Sequence, residues 1–209
     1  MITVCWAAKG GSGTTVVVAS MALAARRPIL IVDLDGDLPA VLGVPESDRA
    51  GLFDWVRSTA DAARLAELTI DVAEHVTLLP RGRPGTVSTE RWSIAVDWLR
   101  AQTVDVLVDA GTTVTPCPAL VHAADHALLV SRPCYLAMRA ARRLEQQPTG
   151  VIVIEEPGRQ LSVDDVIAAV GAPLAASVLL DPKVARAADA GLLVASLPSA
   201  FRRSLEHTA

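Results

Sequence analysis

The sequence predicts an α/β protein with three layers, in which a mostly parallel β-sheet is covered by helices on both faces. Short β-branched runs alternate with alanine-rich helical stretches through nearly the whole chain of 209 residues. The strand cores are continuously apolar, as in ILIV at residues 29–32 and VIVI at residues 151–154. A strand needs such a pattern when both faces of its sheet are covered.

The strands are predicted from apolar, β-branched runs bounded by glycine, proline or charged residues. Seven runs meet this description: residues 2–7, 29–32, 76–79, 104–108, 127–131, 151–154 and 174–179. Helices are predicted in the alanine- and leucine-rich stretches between and after them: residues 14–25, 52–57, 60–67, 89–101, 135–146, 163–169 and 183–188. Residues 81–88 contain Gly82, Pro84 and Gly85 and are predicted to form a loop. No stretch has the composition of a linker, so one domain over residues 1–209 is expected.

The composition is that of a folded chain, with 51% hydrophobic and 20% charged residues and a net charge of -4. No apolar run reaches the roughly 18 residues that span a bilayer. The net negative charge excludes a bulk attraction to nucleic acid. Cys5, Cys117 and Cys134 form no CxxC pair, which indicates neither a disulfide framework nor a zinc site. The expected location is the cytoplasm, with polar or membrane association only through partners.

A glycine-rich segment follows the first predicted strand directly. It reads Lys9-Gly10-Gly11-Ser12-Gly13-Thr14-Thr15 and leads into the helical run VVVASMALAA. Glycines at a strand-to-helix junction let successive backbone N–H groups point inward, and the helix N-terminus adds a partial positive charge. A tight glycine turn that binds nothing is the alternative. Because the strand, the loop and the helix are all present, the context favours phosphate binding.

Carboxylates follow two other predicted strands. The second strand runs into Asp33-Leu34-Asp35-Gly36-Asp37, and the strand at residues 104–108 is followed by Asp109. The carboxyl ends of parallel strands meet at one edge of a sheet, where Mg²⁺ and an attacking water are handled beside a phosphate loop. Each pattern alone is also consistent with a solvated acidic turn. Their order along the chain, after the glycine loop, favours the functional interpretation.

These segments resemble the ParA/MinD group of P-loop ATPases, including its TadZ/CpaE branch. The glycine segment is similar to the deviant Walker A motif of that group, KGGxGK[ST], with matches at Lys9, Gly10, Gly11, Gly13 and Thr15. Two further segments match, ADHALLVSRP at residues 124–133 and DPKVARAADAG at residues 181–191. The resemblance implies a P-loop NTPase fold, ATP and Mg²⁺ as cofactors, and a homodimer linked by nucleotide.

The resemblance also implies roles for individual residues. The loop from Lys9 to Thr15, including Ser12 and Thr14, would bind the nucleotide, and Lys9 would reach the phosphates bound by the partner subunit. Thr15 would hold Mg²⁺, with Asp33 and Asp109 nearby. Asp35 would position the hydrolytic water, so Asp35 and Lys9 are the expected catalytic residues.

The sequence departs from the pattern of the group at two places. Thr14 stands where the group has its P-loop lysine, and a hydroxyl cannot supply that positive charge to the phosphates. Glu155 and Glu156 follow the strand at residues 151–154, where an asparagine often reads adenine in the group. Two alternatives therefore stay open: a weak ATPase that organises the position of pilus machinery, a division site or DNA cargo, and a pseudo-ATPase scaffold that has lost hydrolysis or nucleotide binding.

Partners beyond a second subunit are predicted only in outline. An unknown protein activator or cargo is expected. Arg139, Arg142 and Arg143 are spaced to share one face of a predicted helix, which would suit a DNA surface. The sequence FRRSL at residues 201–205 is reminiscent of an amphipathic membrane tail, although two apolar residues bury too little area to hold a membrane alone.

Overall fold

The sheet contains eight strands among the residues that the computed structural model describes, which are 1–45, 49–85, 89–112, 118–206 and 208. The strands are β1 (Ile2–Trp6), β2 (Ile29–Asp33), β3 (Ile70–Ala73), β4 (Val76–Leu79), β5 (Asp105–Asp109), β6 (His126–Ser131), β7 (Gly150–Glu155) and β8 (Leu174–Leu179). Their order is β3-β4-β2-β5-β1-β6-β7-β8. Every neighbouring pair is parallel except β3 and β4. The prediction of a mostly parallel sheet is confirmed.

The edge strand β3 was not predicted from the sequence. It is four residues long and only partly buried, and it pairs antiparallel with β4 after a short turn. An edge strand of this kind has one neighbour and one solvated face, so it does not need the continuous apolar run that marks the central strands.

The helices alternate with the strands. They are α1 (Thr14–Ala24), α2 (Leu38–Val41), α3 (Leu52–Val56), α4 (Thr89–Arg100), α5 (Pro118–Ala123), α6 (Tyr135–Ala141), α7 (Val163–Val170), α8 (Pro182–Asp189), α9 (Leu193–Ser196) and α10 (Ser199–Leu205). The helix predicted at residues 60–67 is a 3-10 helix over Ala62–Leu68. The short helices α2, α5, α9 and α10 were not predicted, because four to seven residues give too little periodicity to recognise.

Helix α6 is shorter than its predicted range of residues 135–146. It ends at Ala141, with Arg142 as its C-terminal cap and Arg143 beyond it. Of the three arginines predicted to share a helix face, only Arg139 therefore lies within the helix. The proposed arginine surface is not built on one continuous helix.

Each central strand contributes alternate side chains to two separate cores. In β1, Val4 and Trp6 face the core formed with α3, α4, α5 and α7, while Cys5 faces the core formed with α1, α8 and α10. Neighbouring residues of β2 divide in the same way, with Leu30 in the first core and Ile31 in the second. Helices thus cover both faces, as the apolar strand pattern predicts.

The C-terminal segment belongs to the second core. Phe201 and Leu205 are buried, and α10 packs against α1 and β8. These two apolar residues are therefore used inside the fold and are not exposed as a membrane-binding face. Among the described residues, none of the helices has the length and apolar character required to cross a membrane.

Asp105 ties the start of β5 to the residues that precede β2. Its carboxylate forms an ion pair with Arg27 and a second one with the amino group of Met1. Burial opposes ionisation of Asp105, but hydrogen bonds from Arg27 and the amino group outweigh it and hold the pKa of the carboxyl below its usual value. A lowered pKa in the folded state adds stability above the unfolded-state pKa, and this stability is lost as the pH falls through the folded-state pKa.

Replacing Asp105 by Asn is expected to lower the free energy of unfolding by about 1 kcal/mol at pH 7. The deficit relative to wild type should be smaller at about pH 3, below the ordinary carboxyl pKa, because protonation then begins to remove the ion pairs of the wild-type chain. Urea unfolding at both pH values measures this difference. The exposed Asp97 in α4 provides a control, since D97N should leave stability unchanged. A deficit of equal size at the two pH values would contradict the electrostatic explanation.

Candidate functional site

The glycine loop lies between β1 and α1, as predicted. Gly13 is the N-terminal cap of α1 and has a φ of 94°, in the left-handed region that glycine adopts without strain. The helix has no side-chain cap and no acidic residue in its first turn. Its first backbone N–H groups therefore lack the compensation that a capping side chain or a carboxylate would provide. This end of α1 is suited to an anion.

The side chains of the loop divide into buried and exposed groups. Ser12 is buried, and its hydroxyl donates a hydrogen bond of 2.8 Å to the carbonyl oxygen of Lys9. Thr14 is also buried, at 6% exposure, and contributes no charge. Lys9 is exposed, with its ammonium group 3.2 Å from the carbonyl oxygen of Gly10. The loop therefore presents its lysine outward, toward solvent.

Asp33 and Asp109 form a buried carboxylate pair beside the loop. They end the neighbouring strands β2 and β5, are in register with each other, and are both 0% exposed. Oδ1 of Asp33 accepts hydrogen bonds from the N–H groups of Asp35 at 3.1 Å and Gly36 at 2.7 Å. Oδ1 of Asp109 accepts one from Gly111 at 3.0 Å. Among the described residues, Oδ2 of each carboxylate has no hydrogen-bond partner.

Burial dominates the ionisation of this pair. It raises the pKa of Asp33 from 3.8 to about 7, and the charge of Asp109 raises it further. The N–H donors of Gly36 and Asp35 and the charge of Arg81 lower this pKa, but their effect is smaller than that of burial. Burial also raises the pKa of Asp109 to about 6, although the nearby hydroxyl of Thr15 opposes the shift. Two desolvated carboxylates with unpartnered oxygens form a site that a bound cation would stabilise.

The donor set at this edge is compatible with Mg²⁺. The candidate ligands are the carboxylates of Asp33 and Asp109 and the hydroxyl of Thr15, and Mg²⁺ prefers such oxygen ligands. No cluster of three or more His, Cys, Asp or Glu residues suited to a metal occurs in the described part of the chain. Mg²⁺ would therefore need further oxygens from water and from phosphates, which is how it is usually bound beside nucleotides. The residues fit the ion that the sequence predicts.

Asp35 is held between the two neighbouring strand ends. A side chain at Gly111 would overlap its carboxylate, so Gly111 allows the close approach of β5 to this residue. Arg81, which follows β4, donates a hydrogen bond from Nη1 to the Asp35 carbonyl oxygen. Burial and the neighbouring Asp37 raise the pKa of Asp35, and Arg81 partly opposes them. A carboxylate in this state is a competent hydrogen-bond acceptor for water.

A cavity of about 580 Å³ adjoins the acidic side of the site. It lies over the ends of β2 and β4, and its walls include Asp33, Arg49, Arg81 and Arg83. The cavity gives this side of the sheet edge room for solvent and for a small group next to Asp33.

Glu155 and Glu156, which follow the apolar core of β7, both have polar partners in the structure. Glu156 forms ion pairs with Arg132 and Arg159, and these partners lower its pKa although burial opposes them. Glu155 accepts a hydrogen bond from the hydroxyl of Ser177. Both carboxylates therefore have polar partners, and Glu156 is neutralised by two guanidinium groups.

Arg132 is a site residue that the sequence reasoning did not select. It lies directly after β6, and β6 pairs with β1, the strand that leads into the glycine loop. The relevant signal was its place at the carboxyl end of a strand. Strand order decides which strand end lies beside the loop, and strand order was not predicted.

The predicted site residues thus fall along one sheet edge, from the loop across the ends of β1, β5 and β2. Cys117 and Thr113, which follow Asp109 in the sequence, lie outside the described residues, as do Thr86, Val87 and Ser88 of the predicted loop at residues 81–88. Cys5 is buried and Cys134 is partly exposed. Burial raises the pKa of the Cys5 thiol far above its usual value, as expected for a cysteine in the core.

The parallel sheet, the glycine loop and the carboxylate-bearing strand ends define a P-loop NTPase fold of the MinD/ParA type. The sequence profile described as "Cellulose biosynthesis protein BcsQ" matches residues 1–154. The chain therefore belongs to the BcsQ family, which is ParA/MinD-like. No curated protein matches its sequence.

Solved structures of this fold superpose on nearly the whole chain. The MinC:MinD cell division complex of Aquifex aeolicus includes a chain with a TM-score of 0.79 and 20% identity, covering 99% of this chain and 93% of its own. A ParA family ATPase from Chlorobium tepidum TLS has a TM-score of 0.75 at 19% identity, with coverage of 98% and 96%. MinD complexed with Mg-ADP, from Pyrococcus horikoshii OT3, has a TM-score of 0.73 at 22% identity, with coverage of 99% and 95%. At these identities the likeness establishes the fold.

Proposed function

We propose that this protein binds Mg-ATP at the edge of its sheet and works as a ParA/MinD-like spatial organiser through a nucleotide-linked homodimer. The observation that carries the proposal is the pair of buried carboxylates, Asp33 and Asp109, whose unpartnered oxygens lie beside an uncapped helix N-terminus. Burying two carboxylates next to each other is costly unless a cation joins them. A magnesium–nucleotide complex supplies both the cation for the carboxylates and the anion for the helix.

Each residue then has a distinct task. The backbone of Gly10 to Thr15 surrounds the phosphates, and Thr15 with Asp33 and Asp109 holds the metal. Bound Mg²⁺ would neutralise charge that develops on the phosphates. Asp35 accepts a hydrogen bond from the water that attacks, a role supported by its raised pKa and by its position against Gly111.

The homodimer part of the proposal is supported by the position of Lys9. This lysine is exposed at the tip of the loop, and within the described part of the chain its ammonium group contacts only the carbonyl oxygen of the adjacent Gly10. It can therefore extend toward phosphates held by a second subunit without disturbing its own loop. Among the fold relatives, MinD has been solved with Mg-ADP and in a complex with MinC, which supports nucleotide binding and a protein partner for this chain.

The cargo is proposed only as a class. Pilus machinery, a division site or DNA are the candidates that the ParA/MinD resemblance implies, and a protein activator would couple turnover to that cargo. The description of the BcsQ family adds cellulose biosynthesis machinery to these candidates. The expected location is the cytoplasm, with membrane or polar association through the partner.

Binding and light scattering test the proposal together. The purified chain should bind Mg-ATP in calorimetry, and its mass in light scattering should double when Mg-ATP is present. In the K9A variant, Mg-ATP should still bind but the doubling should be lost. The exposed Lys183 supplies a control, because K183A removes the same charge from α8 and should keep the dimer. Absence of both binding and a mass change in the wild-type chain would refute the proposed function.

A pseudo-ATPase scaffold is the second candidate, and Thr14 favours it. This residue is buried at the start of α1 and brings no charge to the loop. Loss of one preorganised charge at the transition state commonly costs about two to three orders of magnitude in rate. Phosphate release that depends on Asp35 would exclude the scaffold, whereas a gain of turnover in T14K from an inactive wild type would support it and show that the remaining machinery is intact.

A further inference from the structure

The loop lacks its own lysine at position 14, but a neighbouring strand brings a guanidinium group to it. Strand β6 pairs in parallel with β1, with Leu129 opposite Trp6. Both chains then leave the sheet at the same edge, β1 into the glycine loop and β6 into Arg132. The sheet register therefore fixes the backbone of Arg132 beside the loop.

The side chain of Arg132 reaches the end of the loop. Its Nε lies 3.5 Å from the carbonyl oxygen of Ser12. Its Nη2 lies 4.0 Å from the position that a Cβ atom on Gly13 would occupy. Gly13 is the cap of α1, so the guanidinium group sits next to the first N–H groups of that helix. These N–H groups are the ones suited to phosphate.

The orientation of Arg132 is fixed by an ion pair. Nη1 lies 2.7 Å from Oε1 of Glu156, and Arg159 binds the other carboxylate oxygen of the same residue. The three side chains together carry one net positive charge. The second terminal nitrogen, Nη2, makes no hydrogen bond or ion pair to any described residue. The side chain of Arg132 is 31% exposed, so a ligand can reach it.

We propose that Arg132 binds the phosphates of the nucleotide and supplies the positive charge that Thr14 cannot. The inference rests on the proposed function, because it assumes that a nucleotide occupies the loop. A guanidinium group offers several N–H donors to phosphate oxygens, and Arg132 keeps Nη2 for this purpose while Nη1 is held by Glu156. Glu156 thus orients the arginine and does not act as a repelling acid.

The matched variants are R132Q, R132K and R139Q. Arg139 lies seven residues further along the chain, is exposed, and has no described contact, so R139Q removes the same charge without touching the loop. Calorimetric affinities for Mg-ATP and for inorganic tripolyphosphate should both fall at least about tenfold in R132Q. R139Q should bind like wild type, and R132K should fall between the two because it keeps the charge but loses the planar geometry.

A rescue separates a lost charge from a damaged fold. Adding T14K to R132Q places a lysine in the loop itself and should restore Mg-ATP affinity to within about threefold of wild type, whereas a misfolded loop would not be repaired. If R132Q does not unfold cooperatively, R132K provides the test: a loss of affinity that R139Q does not show supports the inference, and an affinity equal to that of wild type overturns it.

The two proposals fail in different ways. A wild-type chain that binds neither Mg-ATP nor tripolyphosphate overturns both of them. A wild-type chain that binds Mg-ATP, together with an R132Q variant that binds it equally well, overturns only the role of Arg132.

Discussion

The double variant D33N/D109N is expected to melt at a higher temperature than the wild-type chain when no nucleotide is present, and to lose the magnesium dependence of nucleotide binding. Burial destabilises the ionised form of Asp33 and raises its pKa from 3.8 to about 7. At about 1.36 kcal/mol per pKa unit, keeping it ionised costs about 4 kcal/mol. Asparagine avoids this cost but adds amide N–H donors that lack ideal partners, so the expected net gain is about 2 kcal/mol.

The pH dependence has a definite sign. A folded-state pKa above the unfolded-state value means that the wild-type chain loses stability as the pH rises from about 4 to about 7. The neutral amides do not ionise. The advantage of D33N/D109N should therefore be small at pH 5 and larger at pH 8, with a difference in melting temperature of about 5 °C at the higher pH.

Thermal unfolding without nucleotide at pH 5 and pH 8, followed by calorimetry with ATP in the presence and absence of Mg²⁺, measures both effects. D97N/D189N is the matched control, because it replaces two exposed carboxylates and changes the net charge equally. A lower melting temperature in D33N/D109N, or an unchanged magnesium dependence of ATP binding, would show that this pair is structural.

Asp35 is expected to separate hydrolysis from binding. If the protein hydrolyses ATP, D35N should lower the rate of phosphate release by about a hundredfold, because the amide cannot accept a proton from water as the carboxylate does. Its Mg-ATP affinity should stay within about threefold of wild type, since Asp35 is not among the proposed metal ligands. The Mg-ATP dimer should consequently persist longer.

Phosphate release and light scattering over time, with Mg-ATP saturating, measure this separation. Asp37 lies two residues further on and is exposed, so D37N should turn over ATP at nearly the wild-type rate. Equal rates in wild type and D35N would remove Asp35 from the mechanism, and a parallel loss of binding in D35N would make it a binding residue.

The central sheet could be predicted from the sequence because its strands are buried on both faces. The runs at residues 29–32 and 151–154 are continuously apolar, and the structure places their side chains alternately in two cores. The edge strand β3 lacks this pattern, because it is only partly buried. The C-terminal end of α6 was also placed too late, since the arginines after Ala141 continue a helical composition although the helix has ended.

The candidate site could be predicted in part. A loop between a strand and a helix is local in sequence, so Gly10 to Thr15 were identifiable without knowledge of the fold. Asp33 and Asp109 were placed at strand ends, but only the register of β2 and β5 brings them side by side. Arg132 depends on the order of β1 and β6, which involves residues 120 positions apart, as the contact with Ser12 shows. Long-range neighbours of this kind leave no periodic signal in the chain.

The location of the site at the ends of β1, β2, β5 and β6 has a thermodynamic consequence. These four strands are adjacent to each other through β5 and β1, and their side chains build both cores. A ligand that binds only to the assembled ends of these strands would stabilise the folded state relative to the unfolded chain. Ligand binding is therefore coupled to global unfolding, and the melting temperature should rise with the logarithm of ligand concentration once the site is saturated. Thermal shift can thus rank nucleotides, metal ions and anions on the intact chain before any partner is known.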